Sequence, residues 1–578
     1  MVDRFVIQHI ILPGTRMEGV DGMYYHSERS FSGWPVQLHP RDRIDLSAFY
    51  NLLPLRKWRE NTDVGDILLE INIEGDAVVT LNGYSDDGSV SDTAVKRICS
   101  NGRSVIDFPV PIGGDVVGVI IDSESDATLY RVDFVSSRPD CMAKVGVIMC
   151  TYRREEWVLA NIKAVLGCLD DVGGDFSVSV QMIVVDNSGD LCGIPDDPRV
   201  EVHRNINTGG SGGYARGMME SGDRGFTHIV LMDDDVILEP ESLYRLWSFA
   251  SFMGSGRRCA VGGIMVRTDR PTEVHESTAR MTDWWLDSND QGTDLSMLQG
   301  CISLDREKEC NYSGWWFCMY PASVANPENL PLPLFLFLDD VEFGIRSNMP
   351  ILTLTGISVW HQPFDTKYSA SREYYSVRNG MIVRAMHGRL TIKSLLFFNM
   401  WLANRTFHYR YNDAEAVLKG MEDFLKGPEF ITSLDMEALN TEITGWSEKL
   451  VDMTDVIEFS APPYPDESRG VVNDIIRVIT LNGLFLPERG TVPSPIHGGD
   501  PFTVQRAGSV ANMLCDTGKG FVTRRDVWSS IRIFSKLLIF DVKCLVSVRR
   551  IDREYSEKAE EMRSPEKWKR ILRLNREG

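Results

Sequence analysis

Three consecutive carboxylates, Asp233, Asp234 and Asp235, close the apolar run 229–232 of a 578-residue chain. Adjacent carboxylates at the end of a buried strand repel one another unless a cation or ligand sits between them. Oxygen ligands at such a point suit a hard divalent ion that keeps coordination positions free for substrate phosphates. The plainer alternative is an acidic turn before a helix opened by Pro240-Glu241-Ser242. A second apolar run, 334–338, read as a further strand, also ends in acids, Asp339 and Asp340. A carboxylate at the mouth of an apolar site can have a raised pKa and serve as a general base. The run 357–361 closes in His361, either a structural histidine or a third metal ligand or phosphate contact. Trp315 and Trp316 follow Gly314; read as strand neighbours they point to opposite faces, one packing while the other faces a cleft.

The elements that position these groups follow from the apolar pattern. Residues 145–149 form an unbroken apolar run, as expected of a strand buried on both faces of a parallel sheet, and Cys150-Thr-Tyr-Arg-Arg154 and a helix follow. Residues 182–186 run into Asp186 and Asn187, and residues 200–203 lead into Asn205-Ile-Asn-Thr-Gly-Gly-Ser-Gly-Gly213 and another helix. Strands alternating with helices, with carboxylates at strand ends, describe an open α/β sheet that binds its ligand at those ends. Gly210, Gly212 and Ala215 also match the dinucleotide pattern G-x-G-x-x-A. Two preceding strand–helix units, and three acids where ribose recognition needs one, oppose a nicotinamide or flavin enzyme. The plain reading of these glycines is close helix–sheet packing.

The length suggests roughly three domains. Hydrophobic residues at 43% and charged residues at 25% are ordinary for a globular protein. A net charge of −21 argues against a nucleic-acid binder, whose partner demands a basic surface, but leaves room for a phosphate substrate at a local basic or metal-bearing site. Eleven cysteines without a C-x-x-C pair fit reduced thiols and a cytoplasmic setting. No long apolar segment follows the first residues, so no signal peptide is expected, and no run is long enough to span a bilayer. Residues 1–140 show short alternating apolar segments (5–10, 66–73, 77–82, 104–109, 116–121 and 127–134) separated by turn signals, which predicts a β-sandwich or jelly roll. Residues 141–385 hold the α/β pattern. Residues 386–578 read as mainly helical, with amphipathic stretches at 395–401 and 414–425 and a Pro/Gly-rich loop over 486–501. The segment 524–550 sets Lys and Arg among apolar residues in a very acidic chain, which suggests peripheral contact with a membrane surface or packing on protein.

Taken in order, Cys150-Thr-Tyr-Arg-Arg154, Asp186-Asn187, Asn207-Thr-Gly-Gly-Ser-Gly-Gly213 with Arg216-Gly217, Asp233-Asp-Asp235, Gly314-Trp-Trp316, Asp339-Asp340, Trp360-His361, Tyr374-Tyr375 and Arg378-Asn379 resemble the family 2 glycosyltransferases of GT-A fold. They are most similar to the actinobacterial galactofuranosyltransferases of cell-wall galactan synthesis, over about residues 145–380. The resemblance implies a Rossmann-like GT-A catalytic domain behind an N-terminal β-sandwich and before a helical C-terminal domain. It implies an inverting transfer from UDP-galactofuranose, or another UDP- or dTDP-sugar, to a glycan or polyprenyl-linked acceptor at the inner face of the cell membrane. A homo-oligomer is expected. Thr151, Arg154, Asp186, Asn187, Asn207, Asp233 and Asp234 would line the nucleotide-sugar pocket. Asp233, Asp235 and His361 would hold Mn²⁺ or Mg²⁺. Trp315, Trp316, Asp339 and Glu276 (beside His275) would shape the sugar and acceptor site, and Asp340 would be the base. Leu338 departs from the pattern, since the galactan polymerases carry tryptophan there. The rival class is a non-catalytic glycan-binding scaffold, against which the complete set of metal and base residues argues.

Overall fold

The computed structural model describes residues 4–574 apart from 15–16, 112, 255–256, 389, 454–462 and 464–469. Seven N-terminal strands form one antiparallel sheet built on a long hairpin, Leu68–Tyr84 with Val90–Pro109. The two segments expected at 66–73 and 77–82 are thus one continuous strand. Its register shifts at Gly75, whose φ of +104° favours glycine, and a Cβ there would meet Asp126 O at 2.5 Å. Strand Ala127–Ser137 pairs with the first half of Leu68–Tyr84, and Val116–Ser123 with the second half.

The central nine-stranded sheet runs Val200–Arg204, Val180–Asp186, Val145–Thr151, His228–Asp233, Phe317–Pro321, Ala260–Arg267, Ile351–His361 and Ile237–Leu238, with Val274–Glu276 beside Ala260–Arg267. The first four strands are parallel. Chain order reverses between Val145–Thr151 and His228–Asp233, which opens a crevice at their carboxyl ends, where ligands of such sheets bind. Val145–Thr151 carries five fully buried residues in succession, as a strand covered on both faces should. Helix Pro240–Phe252 joins the two sheets into one apolar core: Glu241 takes the His9 amide at 3.0 Å and its ring Nδ1 at 2.8 Å, and Tyr24 donates to Glu239 at 2.6 Å.

Farther along the chain, helices such as Ala370–Met386, Ile392–Phe407 and Tyr411–Leu425 pack with Val527–Met562. The region also holds a four-stranded sheet, and its strand Thr491–Pro495 lies within the stretch expected to be loop. Pro493 and Pro495 hid that strand, but it is the edge of its sheet, where the side without a neighbour needs no amide donor. The short helix Pro565–Ile571 returns to the central sheet. Trp568, fully buried, packs with Ile148, Ala215 and Met218 and donates to Pro331 O at 2.9 Å.

Candidate active site

Asp233 ends its strand, Asp235 lies two residues on, and His361 ends Ile351–His361; their ligand atoms all lie within 4.8 Å of one another. His361 Nε2 is 3.0 Å from Asp235 Oδ1, while its buried Nδ1 has no partner. Arg154 Nη1 bridges Asp234 at 2.7 Å and Asp235 at 2.9 Å, and Lys367 Nζ is 3.5 Å from Asp235. Burial, then repulsion by Asp235, raises the pKa of Asp233. Burial also acts on Asp235, but the hydrogen bond and charge of His361, with Arg154, hold it low. Burial pushes Asp234 up to about 6 against the pull of Arg154. Two crowded carboxylates and an imidazole, with one acid raised by burial and by repulsion from the other, form a set that a divalent cation would relieve. The donor chemistry fits Mn²⁺ or Mg²⁺.

The neighbouring loops are held by the residues expected at the nucleotide pocket. Asp186 accepts from the Ser188 and Leu191 amides at 2.9 and 2.8 Å; these and the Ser188 hydroxyl hold its pKa low although burial opposes them. Asn187 donates to Gly209 O at 3.0 Å and accepts from Asn205 at 2.8 Å. Thr151, buried at its strand end, accepts the Asn187 amide through its carbonyl at 2.9 Å. Asn207 and Tyr152 both reach Glu437 of helix Met436–Thr444, at 3.4 and 3.2 Å. The glycines of helix Gly209–Glu220 serve packing: a Cβ on Gly213 would lie 1.9 Å from Cys150 Sγ, and one on Gly217 would lie 2.2 Å from Ile148 Cγ2.

Beside this cluster opens a cavity of about 610 Å³, within the roughly 300–1,000 Å³ of small-ligand clefts. Asp233, Trp315, Trp316, Asp339, Asp340, Glu276 and His275 all line it. The structure corrects two expectations here. Trp315 and Trp316 lie in a turn before Phe317–Pro321, where strand alternation does not apply, and both residues line the cavity. Trp316 Nε1 donates to Gly263 O at 2.8 Å, and a Cβ on Gly314 would collide with the Trp316 ring at 2.1 Å.

The run 334–338 is likewise not a strand. Phe335, Phe337 and Leu338 take φ of 72°, 65° and 67°, and helix Asp339–Ser347 starts at once. Each left-handed non-glycine residue costs roughly 1–2 kcal/mol, so the surroundings must hold this loop. Asn379 Nδ2 lies 3.2, 2.7 and 2.9 Å from the carbonyls of Leu334, Leu336 and Phe337. Asp339 and Asp340 therefore sit in a helical first turn, where the helix N-terminus favours negative charge. Burial nevertheless raises Asp339 to about 6; burial, then Asp339, Glu276 and Asp233, raises Asp340. Glu276, 7% exposed, is pushed up to about 7 by burial although Ser288 donates to it.

Sequence reasoning missed Tyr214, whose hydroxyl lies 2.8 Å from Asp233 Oδ1. Its only signal was its place in the glycine helix. Trp401, Arg405 and His497 also line the cavity, and nothing in their spacing could announce it.

No protein-family model matches the chain. Galactofuranosyltransferase GlfT2 of Mycolicibacterium smegmatis is 24% identical over 437 residues, 69% of this chain and 66% of that protein. This chain is a relative of galactofuranosyltransferases. GlfT2 of Mycobacterium tuberculosis is 25% identical over 450 residues, 70% of this chain and 68% of that one. The chain thus spans about two thirds of the length of the proteins it matches. Among solved structures, a carbohydrate-binding module of Cellvibrio mixtus lichenase 5A in complex with cellotriose aligns with 23% of this chain and 98% of the module. Identity there is 13% and the TM-score 0.15.

Proposed function

We propose that this chain is a metal-dependent, inverting glycosyltransferase of GT-A fold that moves galactofuranose from UDP-galactofuranose to a hydroxyl of a glycan acceptor in cell-envelope synthesis. The observation that carries the reading is one cavity lined both by Asp233 of the metal-type cluster and by the raised-pKa acid Asp340. Similarity to galactofuranosyltransferases supplies the donor sugar. Asp233, Asp235 and His361 would hold Mn²⁺ or Mg²⁺, and the ion, when bound, offsets charge on a departing diphosphate. The chain's own residues do the rest. Trp315 and Trp316 wall the sugar site, and Tyr214 orients Asp233. Asp340 accepts the proton of the acceptor hydroxyl as that oxygen bonds to the anomeric carbon, whose bond to the UDP oxygen breaks. A single displacement inverts that carbon. A raised pKa suits the task, because a stronger base takes the proton of a hydroxyl more readily.

The acceptor would be polyprenyl-linked, which gives a membrane surface a use. On helix Val527–Met562 the apolar Trp528, Leu538, Val542, Leu545 and Val546 are all exposed, with Lys543, Arg549 and Arg550 beside them. No described helix is long and apolar enough to cross a membrane, so contact would be peripheral. The deciding experiment incubates the protein with Mn²⁺, a galactosyl lipid acceptor and a panel of UDP- and dTDP-sugars, reading nucleotide release and the product anomer. Turnover of UDP-galactofuranose with inversion is expected. Preference for another nucleotide sugar changes the donor, and no turnover with any of them leaves only a glycan-binding protein.

A further inference from the structure

The Arg378-Asn379 pair has no role in the scheme above, and neither residue lines the cavity. Both are fully buried on helix Ala370–Met386. Arg378 Nε donates to Asn379 Oδ1 at 2.9 Å, which fixes the amide with its nitrogen toward the left-handed loop. Arg378 Nη2 adds a bond to Leu334 O at 2.6 Å, and its guanidinium lies over the Tyr374 and Tyr375 rings. Tyr375 in turn stacks on Phe335, with ring centroids 5.3 Å apart. On the far side, the Ser211 amide donates to Phe335 O at 3.3 Å, and a Cβ on Gly209 would meet that oxygen at 2.1 Å. The loop is clamped between the glycine helix and Asn379, and Asp339 and Asp340 follow it with no residue between.

We propose that Asn379, oriented by Arg378, is a positioning residue that holds loop 334–338 left-handed and thereby sets where the Asp340 carboxylate stands in the cavity. Three bulky residues in the left-handed region would relax to ordinary backbone angles without these bonds. Relaxation at 335–338 turns the start of helix Asp339–Ser347. Asp233, Asp235 and His361 hang from two strand ends elsewhere in the sheet and stay in place. The inference rests on Asp340 being the base.

The test compares Asn379→Asp, of equal size but without the amide donors, with wild type and Asp340→Asn. Arg378→Lys, which keeps a cation but loses the planar fork, is the second variant. Active protein is counted by titrating the UDP sites with Mn²⁺ present, and kcat is expressed per site. For Asn379→Asp, kcat per site is expected to fall at least about tenfold, while donor KM and Mn²⁺-dependent UDP affinity stay within about twofold. Arg378→Lys is expected to change kcat in the same sense but less. Simple loss of folded protein lowers the number of sites without changing kcat per site. Unchanged kcat per site in Asn379→Asp overturns the proposal, as does failure of both variants to fold, which would make the pair purely structural. A wild-type kcat in Asp340→Asn sinks the base assignment instead, so the two failures are distinguishable.

Discussion

Glu276→Gln removes one ionisable group from the cavity and leaves its shape. In the native protein burial lifts this carboxyl from an ordinary 4.5 to about 7. The difference, 7 − 4.5 = 2.5 units, corresponds to ~3 kcal/mol at ~1.36 kcal/mol per unit. The sign follows from linkage. The folded state holds this proton more tightly than the unfolded chain does, so the stability is fully present below the unfolded value and lost as pH rises through about 7. Glutamine cannot ionise and escapes that loss. Urea unfolding followed by tryptophan fluorescence at about pH 5 and about pH 9 should therefore show the variant gaining on wild type, by up to ~3 kcal/mol, at the higher pH. Because Glu276 also raises Asp340, the acid limb of kcat should move to lower pH in the variant. Stability curves that stay parallel across this range would refute the account of a buried, proton-holding Glu276.

Other perturbations separate the remaining assignments. Asp340→Asn should keep donor KM and lower kcat by roughly 10²–10⁴-fold, the usual worth of a general base, with a smaller effect for Asp339→Asn under the same assay. Asp235→Ala and His361→Ala should weaken UDP binding in calorimetry only when Mn²⁺ is present; equal losses with and without the ion would remove them as ligands. Gly213→Ala should destabilise by about 1–3 kcal/mol, the usual cost of overpacking, as its Cβ must displace Cys150; an unchanged Tm would contradict the packing role. Replacing Leu538, Val542 and Leu545 with serine should abolish flotation with anionic liposomes, and salt should weaken the wild-type binding. If flotation persists while the oligomeric state changes, that face joins copies of the chain.

The parts legible in sequence share one physical basis. The runs 145–149, 182–185 and 229–232 lie in strands buried on both faces, so they are unbroken, and carboxylates placed after such runs stand out. The same signal misled at 334–338, where Leu-Phe-Leu-Phe-Leu is apolar because the loop is buried, not because it is extended. Left-handed angles at phenylalanine and leucine leave no mark in sequence, because the clamp that enforces them comes from Asn379. Trp315 and Trp316 were visible as a pair, but the placing of Trp316 depends on Gly263 and Gly314. The wall formed by Trp401, Arg405 and His497 depends on tertiary packing alone.

Trp568 fills the space behind the glycine helix, where a Cβ on Gly212 would already come within 3.3 Å of its ring. The two positions are 568 − 212 = 356 residues apart. At ribosomal speeds of about 5–20 residues per second, that separation takes roughly 20–70 s to synthesise. Through that interval the face of the helix that Trp568 covers stays open to water, together with Ile148, Ala215 and Met218. Asp233, Asp235 and His361 are all made within that interval, so the proposed donor site stands for part of it on an unfinished core. Donor binding should therefore mature only once Trp568 has been made, and until then the site's own support is an apolar surface open to chaperones.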